Sequence, residues 1–88
     1  MTTMSDLIRK AAARKLKALR RLKRAEIVTG RLVAKRRPVL KAIAAYRDAG
    51  RSVPQSLWEK HQDFQKKLAK AAHVEHQASV AYEAARRS

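Results

Sequence analysis

One short stretch divides this sequence into two helix-forming parts, and it constrains the fold more than any other feature. Gly50 follows a run of good helix formers, where a helix C-terminus favours a residue that tolerates positive φ. Pro54 stands where a new helix can begin, because its missing N–H costs nothing in a first turn. A helix that ends and another that begins within so few residues predict an antiparallel αα-hairpin.

Capping signals set the predicted helix ends. Ser52 is the predicted N-cap of the second helix, with Gln55 completing a capping box; the alternative is a later box of Ser56 and Glu59. The first helix is predicted to start after Ser5 as N-cap. The predicted organisation is one domain over residues 1–88, with a frayed tail at 1–4, helices at about 5–49 and 53–86, and a turn at 50–52.

Apolar residues recur every seven positions along both helices, which predicts a coiled-coil-like seam. On the first helix the spacing is kept by Met4, Ala11, Ala18, Ala25, Leu32, Val39 and Tyr46. A weaker neighbouring column mixes Ile8, Leu22 and Ile43 with Lys15, Thr29 and Arg36. On the second helix the seam holds Leu57, Phe64, Ala71, Ala78 and Ala85, flanked by Leu68, Val74 and Tyr82.

Folding about Arg51 predicts which seam residues face each other. The pairs are Tyr46 with Leu57, Val39 with Phe64, Leu32 with Ala71, Ala25 with Ala78, and Ala18 with Ala85. Small residues meet small ones toward the open end, so the helices can approach closely there. The first helix is longer and overhangs the second by two to three turns.

Two residues in the first half oppose a continuous helix. Gly30 costs about 1 kcal/mol in a helix interior, and Pro38 costs roughly 3 kcal/mol because it removes a hydrogen bond and clashes with the preceding turn. Because the seven-residue register continues across Pro38, we predict one long helix kinked there. A break at Pro38, giving three helices, is the alternative.

Several apolar residues fall outside the seam. Leu16 and Ile27 point nearly opposite to Ala18 on a helical wheel, with Leu19 to one side, and Trp58 leaves the second seam. A hairpin has little core, so a second apolar face predicts another helix that covers it. We interpret these four residues as a homodimer surface or as a docking surface in a larger assembly.

Charge is the most distinctive property of the composition. The chain carries 22 Lys and Arg against 7 Asp and Glu, a net charge of +15. Nine basic residues and no acid lie within 9–24. Solvated helices usually interleave Glu with Lys, so this density indicates polyanion contact.

We therefore predict a small basic protein that binds DNA or RNA through phosphate contacts with little sequence specificity. The predicted contact residues are Arg9, Lys10, Arg14, Lys17, Arg20, Arg21, Lys23, Arg24, Arg31, Lys35, Arg36 and Arg37. One alternative is a structural, adaptor or inhibitor protein that docks on an acidic protein surface or within a nucleoprotein assembly such as a virion or ribosome.

The three-helix arrangement supplies another alternative, a helix-turn-helix DNA binder. Residues 38–49 would be its first helix, and Gln55, Ser56 and Lys60 would enter the major groove. Adsorption of the basic helix to an anionic membrane is the remaining reading. It is not expected, because the same residues continue the seven-residue register into the hairpin.

Other classes of function lack their residue patterns. The chain has no Cys, no Gly-rich phosphate loop and no Ser/His/acid spacing, so we predict no enzyme, cofactor or small-molecule substrate. His73 and His76 are close enough to share an ion but have no evident third ligand, and no metal site is predicted. Without a signal segment or a long apolar run, the expected location is cytoplasmic, associated with a nucleoid or particle.

Overall fold

The computed structural model describes residues 3–87, and these residues form two helices packed against each other. Helix α1 spans Met4–Asp48 and helix α2 spans Gln55–Arg87. The molecule is a rod with extents of 72 × 16 × 15 Å. The all-α helical hairpin predicted from the sequence is confirmed.

The turn is built on Gly50, as predicted. Its φ of +67° is the left-handed conformation that glycine adopts without steric cost. The N–H of Gly50 donates to the Arg47 carbonyl at 3.0 Å, and the N–H of Arg51 donates to the Tyr46 carbonyl at 2.9 Å. This pair of bonds is a Schellman motif, which satisfies carbonyls at the end of α1 and reverses the chain.

The start of α1 differs from the prediction. Thr3, not Ser5, is the N-cap: its hydroxyl accepts from the Asp6 N–H at 3.2 Å, and the Asp6 carboxylate accepts from the Thr3 N–H at 3.3 Å. A capping box needs an acid or amide three residues after the cap, and Ser5 is followed at that distance by Ile8. Of the predicted frayed tail, Met1 and Thr2 lie outside the described residues.

The predicted caps of α2 were also wrong. Within residues 3–87 neither Ser52 nor Ser56 makes a side-chain hydrogen bond at this helix start. Instead the Pro54 carbonyl accepts from the N–H groups of Leu57 and Trp58, at 3.1 and 3.4 Å. The helix therefore begins directly after the proline, and Ser52 lies too far upstream to cap it.

Helix α1 continues through Pro38. The proline leaves the Ala34 carbonyl without its usual donor, but both residues are exposed, so water can satisfy that carbonyl. The three-helix alternative does not form. The helix-turn-helix arrangement of 38–49 with Gln55, Ser56 and Lys60 required it and is lost with it.

The packing between the helices follows the predicted register. Every residue of two adjacent columns on each helix is buried or half-buried where the helices overlap. The seam consists of Ala18, Leu22, Ala25, Thr29, Leu32, Arg36, Val39, Ile43 and Tyr46 on α1, and Leu57, His61, Phe64, Leu68, Ala71, Glu75, Ala78, Tyr82 and Ala85 on α2. The most buried residue is Ala78, at 0% exposure. Val74, predicted to flank the seam, is instead exposed, and Glu75 takes the place beside Ala71 and Ala78.

Polar residues interrupt one column of the seam. The Thr29 hydroxyl donates to the Glu75 carboxylate at 2.9 Å across the helix pair, and also to the Ala25 carbonyl at 3.1 Å. Arg36 and His61 each bury a ring or guanidinium nitrogen, Nε and Nδ1, that has no hydrogen-bond partner. A directional bond such as Thr29–Glu75 fixes the register of a seam otherwise rich in interchangeable alanines.

The first twelve residues of α1 extend beyond α2. The pairing of Ala18 with Ala85 leaves residues 4–15 without a facing helix, an overhang of about 18 Å. Most of their seam-side residues are open to solvent, with Met4 78% and Ile8 65% exposed; Ala11 is half-buried. The overhang is therefore an isolated helix that continues the seam face.

Candidate nucleic-acid interface

The helix pair has two broad faces, one on either side of the seam. Around a helix, residues two positions apart differ by about 200°, so Val33 and Lys35 point to opposite faces. Contacts across the pair identify each face on α2. Val28 of α1 lies beside Lys67, Lys70 and Val74, whereas Arg47 lies over the ring of Trp58.

One face, here named the basic flank, collects cations from both helices. Surface depressions that span the pair are lined by Arg14, Arg21 and Ala81 at one end, and by Lys35, Lys60 and Lys67 at the other. The basic residues of this flank, all exposed, are Lys10, Arg14, Lys17, Arg21, Arg24, Arg31, Lys35, Lys60, Lys67 and Lys70. With Asp63 as its one acid, the basic flank has a net charge of +9.

The cations of the basic flank have few acidic partners. Both ion pairs within residues 3–87, Lys23–Glu26 at 3.7 Å and Glu83–Arg86 at 3.8 Å, lie on the other face. Lys67 places its ammonium 5.9 Å from the centre of the Phe64 ring, at the edge of the seam. The flank is thus an exposed positive surface whose charge is not neutralised within the described part of the chain.

The other face, here named the opposite flank, has a lower net charge. It comprises Arg9, Leu16, Leu19, Lys23, Glu26, Gly30, Val33, Arg37, Leu40, Ala44 and Arg47 on α1, and Trp58, Gln62, Gln65, Ala69, Ala72, His76, Ser79, Glu83 and Arg86 on α2. Five basic residues and two acids give a net charge of +3. Three of the five cations are engaged, two in the ion pairs and Arg47 over Trp58.

The structure separates the twelve predicted contact residues into four groups. Seven of the twelve lie together on the basic flank: Lys10, Arg14, Lys17, Arg21, Arg24, Arg31 and Lys35. Arg9, Lys23 and Arg37 lie on the opposite flank, and Arg20 lies on the outer edge of α1 between the two flanks. Arg36 lies in the seam, half-buried and with its Nε enclosed, away from both flanks.

Sequence reasoning missed the contribution of α2. Lys60, Lys67 and Lys70 extend the basic flank toward the turn, opposite residues 33–43 of α1. A usable signal was present, because Lys60 and Lys67 are seven residues apart and each precedes the seam column of His61 and Leu68 by one position. Assigning them to the same side as the α1 stripe requires the pairing register as well as the periodicity.

The predicted partner surface is not one patch. Leu19 and Trp58 both lie on the opposite flank, half-buried, but near its two ends, roughly 40 Å apart along the rod. Leu16, at the outer margin of the opposite flank, lines a depression that crosses the outer edge of α1 to Lys17, Arg21 and Arg24 of the basic flank, and Ile27 is 53% exposed on that outer edge. Trp58 is in contact with Arg47, 5.3 Å from ring centre to guanidinium carbon, and meets His61 edge-on.

Residues 3–87 show neither a candidate metal site nor a candidate membrane-spanning segment. No three His, Asp or Glu side chains come together as a metal-binding group there. No helix in the same range has an apolar stretch long enough to cross a membrane.

Comparison with protein-family models, with curated proteins and with solved structures finds no match to this chain.

Proposed function

We propose that this protein binds nucleic acid along the basic flank, through contacts to the phosphate backbone. The observation that carries the proposal is the collection of ten exposed Lys and Arg from two helices on one face, with one acid among them. A phosphate backbone binds such a surface because condensed counterions are released as the cations replace them.

The dimensions of the basic flank suit a duplex. From Lys10 to the level of Lys60, opposite Ile43, the flank runs about 50 Å along the rod, at about 1.5 Å per residue. That length matches roughly 15 base pairs at about 3.4 Å each. A straight, rigid row of cations fits a stiff duplex that presents phosphates along its whole length.

The aromatic side chains support contacts to phosphates rather than to bases. Tyr46, Phe64 and Tyr82 are half-buried in the seam, and Trp58 packs at the turn end of the opposite flank. Single-strand binding without sequence preference relies on exposed aromatic rings on which bases stack. On the basic flank only Phe64 lines a depression, half-buried and beneath Lys67, so no fully exposed ring is offered for stacking, which favours duplex over single strand and little sequence discrimination.

The test is a mobility shift on protein freed of nucleic acid, with 20-base-pair DNA, 20-base-pair RNA and a 20-nucleotide single strand. Duplex binding should weaken steeply with salt. Six phosphate contacts give a slope of log K against log salt near −5, and engagement of all ten cations gives about −9. A flat salt dependence, or tighter binding of the single strand, would contradict the mechanism.

A second candidate function is docking on an acidic protein surface, in an adaptor or in a nucleoprotein assembly. One observation favours it: Val28 and Val74, each about half exposed, form an apolar depression with Ala25, Leu32 and Ala71 between the lysines of the basic flank. An acidic helix with one apolar anchor would fill it. Val28→Ser with Val74→Ser should abolish such docking, whereas phosphate binding should remain.

A further inference from the structure

The core of the hairpin is thin. The buried residues are Ala25, Val39, Ile43, Ala71 and Ala78, and no large side chain within 3–87 is fully buried. Three of these five are alanines, so the helix pair removes little apolar surface from water. Small chains with so modest a core are usually stabilised by association.

The middle of the opposite flank is the surface on which a second copy can pack with the least electrostatic repulsion. Gly30, Val33, Leu40 and Ala44 lie there on α1, and Ala69 and Ala72 on α2; Val33 and Leu40 are each 38% exposed. Between 30–44 and 62–79 this flank carries one charged residue, Arg37. In a chain of net charge +15, two copies repel each other least where their flanks are nearly neutral.

The available area is sufficient for a dimer. The helices overlap over about 50 Å, and the rod is 16 Å wide. The whole overlapped flank therefore offers roughly 800 Å² per copy, the size of a standard stable interface; the weakly charged middle supplies about half of it, and the ends with the Lys23–Glu26 and Glu83–Arg86 ion pairs supply the rest. Alanines and Gly30 in the middle of the flank let two helix layers approach at about 8–10 Å.

We propose that two copies pack through their opposite flanks, and that the dimer joins two nucleic-acid duplexes. Each hairpin is a single layer of two helices, with the basic flank on the face turned away from the opposite flank. Face-to-face packing of two such layers leaves both basic flanks outermost and pointing in opposite directions. The bridging step rests on the proposed function; the dimer does not.

The dimer is tested by sedimentation equilibrium on nucleic-acid-free protein at high salt, where charge repulsion is screened. The expected mass is twice 10.0 kDa. Val33→Glu with Leu40→Glu should shift the mass to that of a monomer. Ile27→Glu with Val80→Glu is the matched control on the outer edges of the rod, where both residues are more exposed, and should remain dimeric.

A second variant guards against loss of folding. Ala69 is already exposed, so Ala69→Glu removes no buried apolar group and should keep the helical circular dichroism. It should nevertheless weaken the dimer at least tenfold. A monomeric wild-type protein, or a helical Ala69→Glu and Val33→Glu/Leu40→Glu pair that both stay dimeric, would overturn the packing.

Bridging is tested with one 20-base-pair duplex fixed to beads and a second, labelled duplex in solution. Wild-type protein should retain the labelled duplex on the beads, and Ala69→Glu should bind the fixed duplex without retaining the second. A dimer that binds duplex but retains no second one would overturn the outward arrangement. If no duplex binds at all, the proposed function and bridging both fail, while sedimentation still decides the dimer.

Discussion

The two faces of the hairpin are built from the same two helices but differ in how they treat charge. The basic flank carries ten cations and one acid, with no ion pair and one cation–π contact (Lys67 over Phe64), whereas three of the five cations of the opposite flank are engaged in an ion pair or a cation–π contact. Both faces are equally close to the seam, so folding does not require the difference. Net charge alone would have suggested a uniformly positive rod. The segregation leaves one face strongly positive, which supports the proposed binding of nucleic acid, and the other with little net charge, which supports the proposed packing of a second copy.

The difference between the two flanks is tested most strongly by reversing four cations on the basic flank and, separately, four cations that lie off it. Arg14, Lys17, Arg21 and Arg24→Glu lowers the net charge from +15 to +7 on the basic flank. At moderate salt we expect a loss of duplex affinity of at least about 100-fold, because each lost phosphate contact removes counterion release. A salt-titrated mobility shift measures it.

The matched control reverses four cations that lie off the basic flank. Arg9, Arg20, Lys23 and Arg37→Glu gives the same net charge of +7 on the same helix. Its affinity should fall far less, through the general field only. Equal losses in the two variants would mean that total charge, not the basic flank, governs binding.

A smaller effect tests whether α2 belongs to the interface. Replacing Lys60, Lys67 and Lys70 by Gln should reduce the salt slope by about three, one per phosphate contact. Arg51, Lys66 and Arg87→Gln removes the same charge away from the flank and should leave the slope nearly unchanged. An unaltered slope in the first variant would restrict the interface to α1.

The smallest effect concerns Arg36, which lies in the seam and belongs to neither flank. Arg36→Leu replaces a seam guanidinium whose Nε has no partner, and should raise the free energy of unfolding by about 1 kcal/mol. The salt slope should not change. Arg31→Leu, on the basic flank, should show the opposite pattern. The free energy of unfolding measured with urea should not rise, and the salt slope of log K should become smaller by about one. A loss of duplex binding in Arg36→Leu would return Arg36 to the interface.

The sequence predicted most of the fold because periodicity and turn chemistry agreed. The turn at Gly50 follows from the tolerance of glycine for positive φ. The facing pairs from Val39–Phe64 to Ala18–Ala85 follow from the seven-residue spacing once the position of that turn is known. The caps were less predictable, since several hydroxyl residues compete near each helix start and one missing partner, as at Ser5, decides the outcome.

The placement of the basic residues on one face could be predicted only in part. Steps of three and four residues placed Lys10, Arg14, Lys17, Arg21 and Arg24 on one stripe without a structure. The seam position of Arg36 was harder to predict, because its column holds both apolar and polar residues and its side chain could face the seam or solvent. Lys60, Lys67 and Lys70 were invisible because their side depends on how α2 pairs with α1, which is a tertiary property.

The short connection around Gly50 also has a consequence for how the chain folds. Residues 49–54 close a small loop, so bringing the two helix ends together costs little chain entropy. The larger seam residues, among them Val39, Ile43 and Phe64, lie near that loop, whereas alanines dominate toward the open end. The contacts nearest the turn therefore have the lowest cost in chain entropy and involve the larger apolar side chains. Folding should start at the turn and proceed outward to the alanine end, as a fast process dominated by local contacts.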